Sequence, residues 1–297
     1  VYMETRVKMF TISQEQKQYL TYVLTDEQGN SQIEVVPERG AIISRWKVNN
    51  QDILYLDEER FANPELSIRG GVPILFPICG NLPNNTYQYG DREYQLKQHG
   101  VARDLPWKVT ETNTDNLASI TLTLDSNQDT LAVYPFAFKL TFTYQLQGNS
   151  LKILQNYTNL SDARMPFSAG LHPYFLVEDK SQLSFDIPSS SYFDHISGDV
   201  KSFSGEFDFE LDEIDSAFTS ISKHHTSISD GHNNSKLTIH YSDFYSTLVF
   251  WTIKGKDYVC LEPWSAPRNA INTKEQLNYI EPGSSYNSVV EMIWEKN

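Results

Sequence analysis

Two side chains in this sequence are set to exchange protons with a ligand near neutral pH. His172 lies in Phe167-Ser168-Ala169-Gly170-Leu171-His172-Pro173-Tyr174-Phe175, and the following proline biases its backbone toward an extended conformation, so the ring leaves the chain in a predictable direction. An imidazole ordinarily titrates at about 6.5 and serves as acid or base at pH 7. Glu262 ends the apolar run Tyr258-Val259-Cys260-Leu261 and precedes Pro263-Trp264. Partial desolvation there raises a carboxyl toward the range useful for a general base. An unpaired buried carboxylate is costly, so Glu262 is expected to have either a function or a partner such as Arg268. The competing readings are a core histidine bonded to backbone and a structural Glu262–Arg268 pair.

Two further stretches carry polar groups beside backbone that must bend. In Ile68-Arg69-Gly70-Gly71-Val72-Pro73, the glycine pair permits close backbone approach, and Arg69 stands beside the turn. In Gln98-His99-Gly100-Val101-Ala102-Arg103-Asp104-Leu105-Pro106-Trp107, His99 and Arg103 flank small residues and lead to an aromatic, a composition suited to a polar pocket with an apolar wall. A surface arginine and a loop histidine are the bland alternatives. His224, His225 and His232 lie in a Ser/Asn/Gly-rich stretch with no standard ligand spacing, so no metal site is expected from them.

The elements that would position these groups are strands. Phe138, Leu140, Phe142, Tyr144 and Leu146 alternate with Lys139, Thr141, Thr143 and Gln145, and this period of two predicts a strand over 138–147. Gly148-Asn149 supplies a turn and Leu151 to Asn159 returns, so 138–159 reads as a hairpin. Similar runs occur at 42–48, 119–125, 236–241, 247–253, 258–262 and 288–294, with Lys254-Gly255-Lys256-Asp257 as a second hairpin tip. No segment keeps helical spacing with caps, so only short helical turns are expected. The polar stretch 189–235 reads as loops within a sheet protein. With no linker and no fixed-period repeat, residues 1–297 are expected to form a single all-β domain.

The chain has 297 residues, with Asp and Glu outnumbering Lys and Arg by 38 to 24, a net charge of −14. That balance disfavours nucleic acid and anionic membrane surfaces as partners and favours a small ligand. Two cysteines cannot form a disulfide framework, and the first fifteen residues have no apolar leader core, so a reducing cytoplasmic location is expected. Met3 is an alternative native start to Val1-Tyr2.

Taken in order, Arg69-Gly70-Gly71-Val72-Pro73, His99-Gly100-Val101-Ala102-Arg103, His172-Pro173-Tyr174-Phe175 and Leu261-Glu262-Pro263-Trp264 resemble the aldose 1-epimerase (galactose mutarotase-like) superfamily. The resemblance covers most of the chain. It implies a β-supersandwich of large antiparallel sheets with a groove on one concave face. It also implies interconversion of α and β sugar anomers without metal or other cofactor: His172 as acid on the ring oxygen, Glu262 as base on the anomeric hydroxyl. Substrate binding would fall to Arg69, His99, Arg103, Trp264, Arg268 and an aspartate, best matched by Asp215, with Asp212 and Asp208 as alternatives. The Arg-Gly-Gly and His-Gly forms are similar to the branch that includes hexose-6-phosphate 1-epimerases, so a phosphorylated hexose stands beside a neutral aldose as substrate. A glycoside hydrolase would need two carboxylates at matched separation. A non-catalytic sugar-binding module would keep the aromatics Trp107, Trp251 and Trp264 without the acid–base pair.

Overall fold

The computed structural model describes residues 9–297; Val1 to Lys8, on which part of the leader expectation rests, lie outside the described residues. Alternating burial builds the sheets where period two predicts them. Strands Phe138–Gln147 and Ser150–Asn159 pair from Phe138 opposite Asn159 to Gln147 opposite Ser150, and Gly148 turns the chain at φ +56°. Phe138, Leu140, Phe142, Tyr144 and Leu146 are all fully buried, while the alternate polar residues face outward. The 254–257 tip likewise joins Thr247–Ile253 to Tyr258–Trp264.

Three sheets carry the architecture. Phe10–Gln16, Leu20–Asp26, Ser31–Val36, Ile42–Val48 and Gln51–Asp52 form an antiparallel meander in chain order. One eight-stranded sheet runs Leu183–Asp186, His225–Asp230, Ser235–Tyr241, Ser285–Lys296, Ser150–Asn159, Phe138–Gln147, Ala118–Asp125, Lys108–Asn113. The other runs Asp199–Ser202, Ser191–Asp194, Glu213–Phe218, Thr247–Ile253, Tyr258–Trp264, Gly170–Leu171, Ile74–Leu75, with Tyr174–Leu176 also paired to Tyr258–Trp264. The α-helices Glu58–Ala62, Gln128–Val133 and Ala270–Thr273 are single turns, as expected. The stretch expected to be loops is instead partly strand, at Ser191–Asp194, Asp199–Ser202, Glu213–Phe218 and His225–Asp230. Its apolar signal is weak because Thr226, whose hydroxyl donates to the Asp186 carbonyl, and Ser227 are buried, and because Glu213–Phe218 turns polar side chains toward a cavity.

One apolar cluster joins all three sheets. Phe76 sits within 4.9 to 5.9 Å (ring centroids) of Tyr134, Phe138, Tyr157 and Phe167, and Trp107 packs edge-on against Phe142. Trp107 therefore belongs to the core, its indole N–H donating to the Ala102 carbonyl, and is not the pocket wall its motif suggested. Among the described residues, no helix is long and apolar enough to cross a membrane.

Candidate active site

The second eight-stranded sheet places the chemistry by register. Residues opposite one another on neighbouring strands share a face. Asp215 lies opposite Trp251, which lies opposite Cys260; Ala217 lies opposite Val249, which lies opposite Glu262; Thr247 lies opposite Trp264. Alternation along Tyr258–Trp264 then sends Val259 and Leu261 into the core and Cys260, Glu262 and Trp264 to the other face. Over that face opens a cavity of about 310 Å³, lined by Arg69, His99, Arg103, His172, Asp215, Trp251, Glu262, Trp264 and Arg268 among others. It falls within the size range of small-molecule sites.

Close backbone packing brings the loops to this face. Gly71 has φ +60°, and a Cβ there would stand 2.4 Å from the Ile43 carbonyl oxygen; at Gly70 it would meet Leu56 Cα at 2.5 Å. The glycine pair is thus required where Ile68–Val72 threads between Ile43 and Leu56, which carries Arg69 to the cavity. His99 itself adopts φ +64°, an uncommon region for a histidine. Reciprocal bonds hold it: its N–H donates to the Gly80 carbonyl at 2.8 Å, and the Gly80 N–H donates to its Nδ1 at 2.9 Å. Because Nδ1 accepts, the proton of the neutral ring resides on Nε2. Burial first, then the Arg103 guanidinium, hold His99 well below its ordinary value, so it stays neutral at pH 7.

At the cavity floor His172 Nε2 stands 3.3 Å from Glu262 Oε1, with the glutamate fully buried and the histidine nearly so. The His172 ring stacks on Tyr174 with centroids 4.7 Å apart and meets His99 and Trp251 edge-on. Trp264 Nε1 donates to Glu262 Oε2 at 2.9 Å. Burial raises the Glu262 carboxyl well above the usual carboxylate range, against the opposing Trp264 donor. Burial, reinforced by Arg103, holds the His172 imidazole below its usual value. Burial of both groups thus favours the neutral carboxyl and neutral imidazole over their charged forms. That form and the carboxylate–imidazolium form are tautomers of one proton.

The competing Glu262–Arg268 pair is not the one that forms. Arg268 Nη2 donates to Asp215 Oδ2 at 3.0 Å, while Glu262 faces His172 and Trp264. Glu262 is thereby left to His172 and Trp264, and Arg268 closes the cavity beside Asp215. Asp212 and Asp208 are exposed and absent from the lining, which leaves Asp215 as the cavity aspartate. Arg69 lies over the Trp251 ring at 5.9 Å, and Arg103 donates to the Gln98 carbonyl. Arg103, His172, Asp215 and Arg268 each carry a buried polar atom without a protein partner, as a site shaped for a ligand would. Glu213, which accepts from Trp251 Nε1 at 2.8 Å and lines the cavity, was not anticipated; its position two residues before Asp215 on a strand was the available signal. His232 faces Glu178 at 3.0 Å, and among the described residues none of His224, His225 and His232 joins a group able to hold a metal.

Residues 21–292 match the model of the aldose 1-epimerase family, and the chain belongs to that family of isomerases acting on carbohydrates. The crystal structure of Slr1438 protein from Synechocystis sp. PCC 6803 is 47% identical, with TM-score 0.93 over 97% of this chain and 100% of that one. A galactose mutarotase-like protein from Clostridium acetobutylicum shares the fold at 21% identity, with TM-score 0.83 over 98% and 100%. A Salmonella typhimurium protein provisionally named glucose-6-phosphate 1-epimerase is 30% identical over 143 residues, 48% of this chain and 44% of its own length.

Proposed function

We propose that the chain interconverts the α and β anomers of a hexose by opening and reclosing the ring. The observation that carries this is the buried His172–Glu262 pair, 3.3 Å apart at the floor of a cavity lined by hydrogen-bonding side chains. Anomerisation needs a proton removed from the C1 hydroxyl and another delivered to the ring oxygen, two atoms on the same carbon. Glu262 as carboxylate takes the first while His172 as imidazolium supplies the second, and the open-chain sugar then faces the neutral tautomer. After rotation about C1–C2, the carbonyl presents its other face and the two protons return. Each half-reaction moves the pair from one tautomer to the other, so the cycle neither gains nor loses a proton. Each positioned group typically contributes about 10²–10⁴-fold.

The remaining groups bind. His99 Nε2–H is a fixed donor, Asp215 Oδ1 an acceptor and Arg268 a donor held in place by Asp215, while Trp251 and Trp264 supply apolar faces. A single domain working in the reducing cytoplasm fits the free thiols of Cys79 and Cys260.

A neutral aldose is the preferred substrate because the net charge of −14 offers a dianion no long-range attraction, and Arg268 is already paired. One observation favours hexose 6-phosphate as a second reading: among the described residues Arg69 and Arg103 line the cavity without a carboxylate partner. Equilibration of the pure α-anomers of glucose, galactose and glucose 6-phosphate, followed by polarimetry with the spontaneous rate subtracted, separates the readings. Acceleration of free sugars establishes the first. Acceleration confined to the phosphate ester establishes the second, and no acceleration of any of them defeats both.

A further inference from the structure

The pair at the cavity floor has a third neighbour that the anomerising chemistry does not use. A ring nitrogen of His172, the Cys260 thiol and a Glu262 carboxylate oxygen all lie within 4.8 Å of one another, and all three residues are buried. Strand alternation puts Cys260 and Glu262 side by side on the cavity face of Tyr258–Trp264, with Trp251 opposite Cys260. Among the described residues no other group of His, Cys, Asp and Glu gathers in this way.

We propose that Cys260, Glu262 and His172 form a binding site for a thiophilic, tetrahedral divalent cation of the zinc type, and that its occupation switches the anomerising pair off. Zinc binds imidazole nitrogen and carboxylate oxygen at roughly 2.0–2.2 Å and thiolate at about 2.3 Å, which puts tetrahedral neighbours about 3.3–3.6 Å apart. The His172–Glu262 separation of 3.3 Å already meets that edge, and the thiol has at most about 1.2–1.5 Å to close. One thiolate and one carboxylate neutralise the ion's two charges, so the buried site gains no net charge on filling. His172 and Glu262 line the cavity, so a water or a sugar oxygen would complete the coordination from that side. Magnesium and calcium, which want six or more oxygen ligands, are poorly served by one nitrogen, one sulfur and one oxygen.

Binding balances as follows: the cation enters, the Cys260 thiol loses its proton, the proton shared by Glu262 and His172 also leaves, and two protons pass to solvent. With that shared proton gone and both groups ligated, neither can serve a sugar. The switching half of the proposal rests on the anomerase reading; the binding half does not.

The test uses the full chain and zinc chloride alone. Calorimetry is expected to show one zinc per chain, with affinity at least about tenfold weaker in Cys260→Ser and unchanged by magnesium. Cobalt(II) in place of zinc is expected to give a thiolate-to-metal charge-transfer band in the wild type that Cys260→Ser and Cys260→Ala both lose and Cys79→Ser keeps. Zinc is expected to suppress anomerisation, chelation to restore it, and Cys260→Ser to keep the uninhibited rate while resisting zinc at least about tenfold better. No stoichiometric zinc, a cobalt spectrum without the thiolate band, or equal inhibition of wild type and Cys260→Ser overturns the proposal. Calorimetry and the cobalt spectrum need no sugar, so a failure to turn over any sugar leaves them decisive.

Discussion

If His172 and Glu262 act as one proton-carrying unit, removing either should cost nearly as much as removing both. Glu262→Gln keeps the shape and leaves an amide oxygen to accept from Trp264 Nε1, now 2.9 Å from Glu262 Oε2, so the cavity should hold its form. The glutamine cannot give and retake a proton, and His172, held below its usual value by burial and Arg103, has no charge of its own at neutral pH. The expected loss in kcat is about 10²–10⁴-fold, roughly 2.7–5.5 kcal/mol of transition-state stabilisation. His172→Gln should lose a similar amount, and the double variant little more than either single one, as groups acting in concert are strongly non-additive. The assay is anomer exchange by NMR saturation transfer on the preferred sugar, with folding of each variant checked by thermal melting. Multiplicative losses in the double variant would show that the two groups act independently, and retention of more than half the rate by Glu262→Gln would remove the carboxyl from the chemistry.

Four further outcomes follow from the same geometry. Because burial depresses His172 and raises Glu262, the single-proton pair persists across neutral pH, so kcat/KM should stay flat through about pH 6.5, where an ordinary histidine titrates, and an inflection there would contradict the pairing. A carboxyl whose folded pKa is raised stabilises the fold below its unfolded value of about 4.3 and loses that contribution as pH rises, so Glu262→Gln should be more favourable to the melting temperature, relative to wild type, at pH 8 than at pH 4. Asp215→Asn releases Arg268 and is expected to raise KM more than it lowers kcat, with kcat/KM falling by roughly 1.5–3 kcal/mol in steady-state kinetics. Gly71→Ala drives a methyl against the Ile43 carbonyl at φ +60° and should cost at least about 1–3 kcal/mol in urea unfolding.

The strand content, the 138–159 hairpin and the four chemistry-bearing segments were legible in the chain because each depends on local pattern: period-two alternation, turn residues, and glycines or prolines that only certain backbones tolerate. The Gly70-Gly71 pair announced a close approach, though not that the neighbours would be Leu56 and Ile43. The stretch 189–235 was opaque, since Glu213–Phe218 turns acids toward the cavity, His225–Asp230 buries hydroxyl residues and Asp199–Ser202 is exposed throughout. Tertiary packing alone decided the partnerships. It joined Arg268 to Asp215 rather than Glu262, put Trp107 in the core and Trp251 in the cavity, and admitted Glu213 to the lining. It also set three protonic groups, His172, Glu262 and Cys260, against one another from two segments far apart in the chain. Residue type determines which proton an isolated group can move; its burial and its neighbours, which only the folded sheets supply, determine when it holds that proton and to what it can pass it.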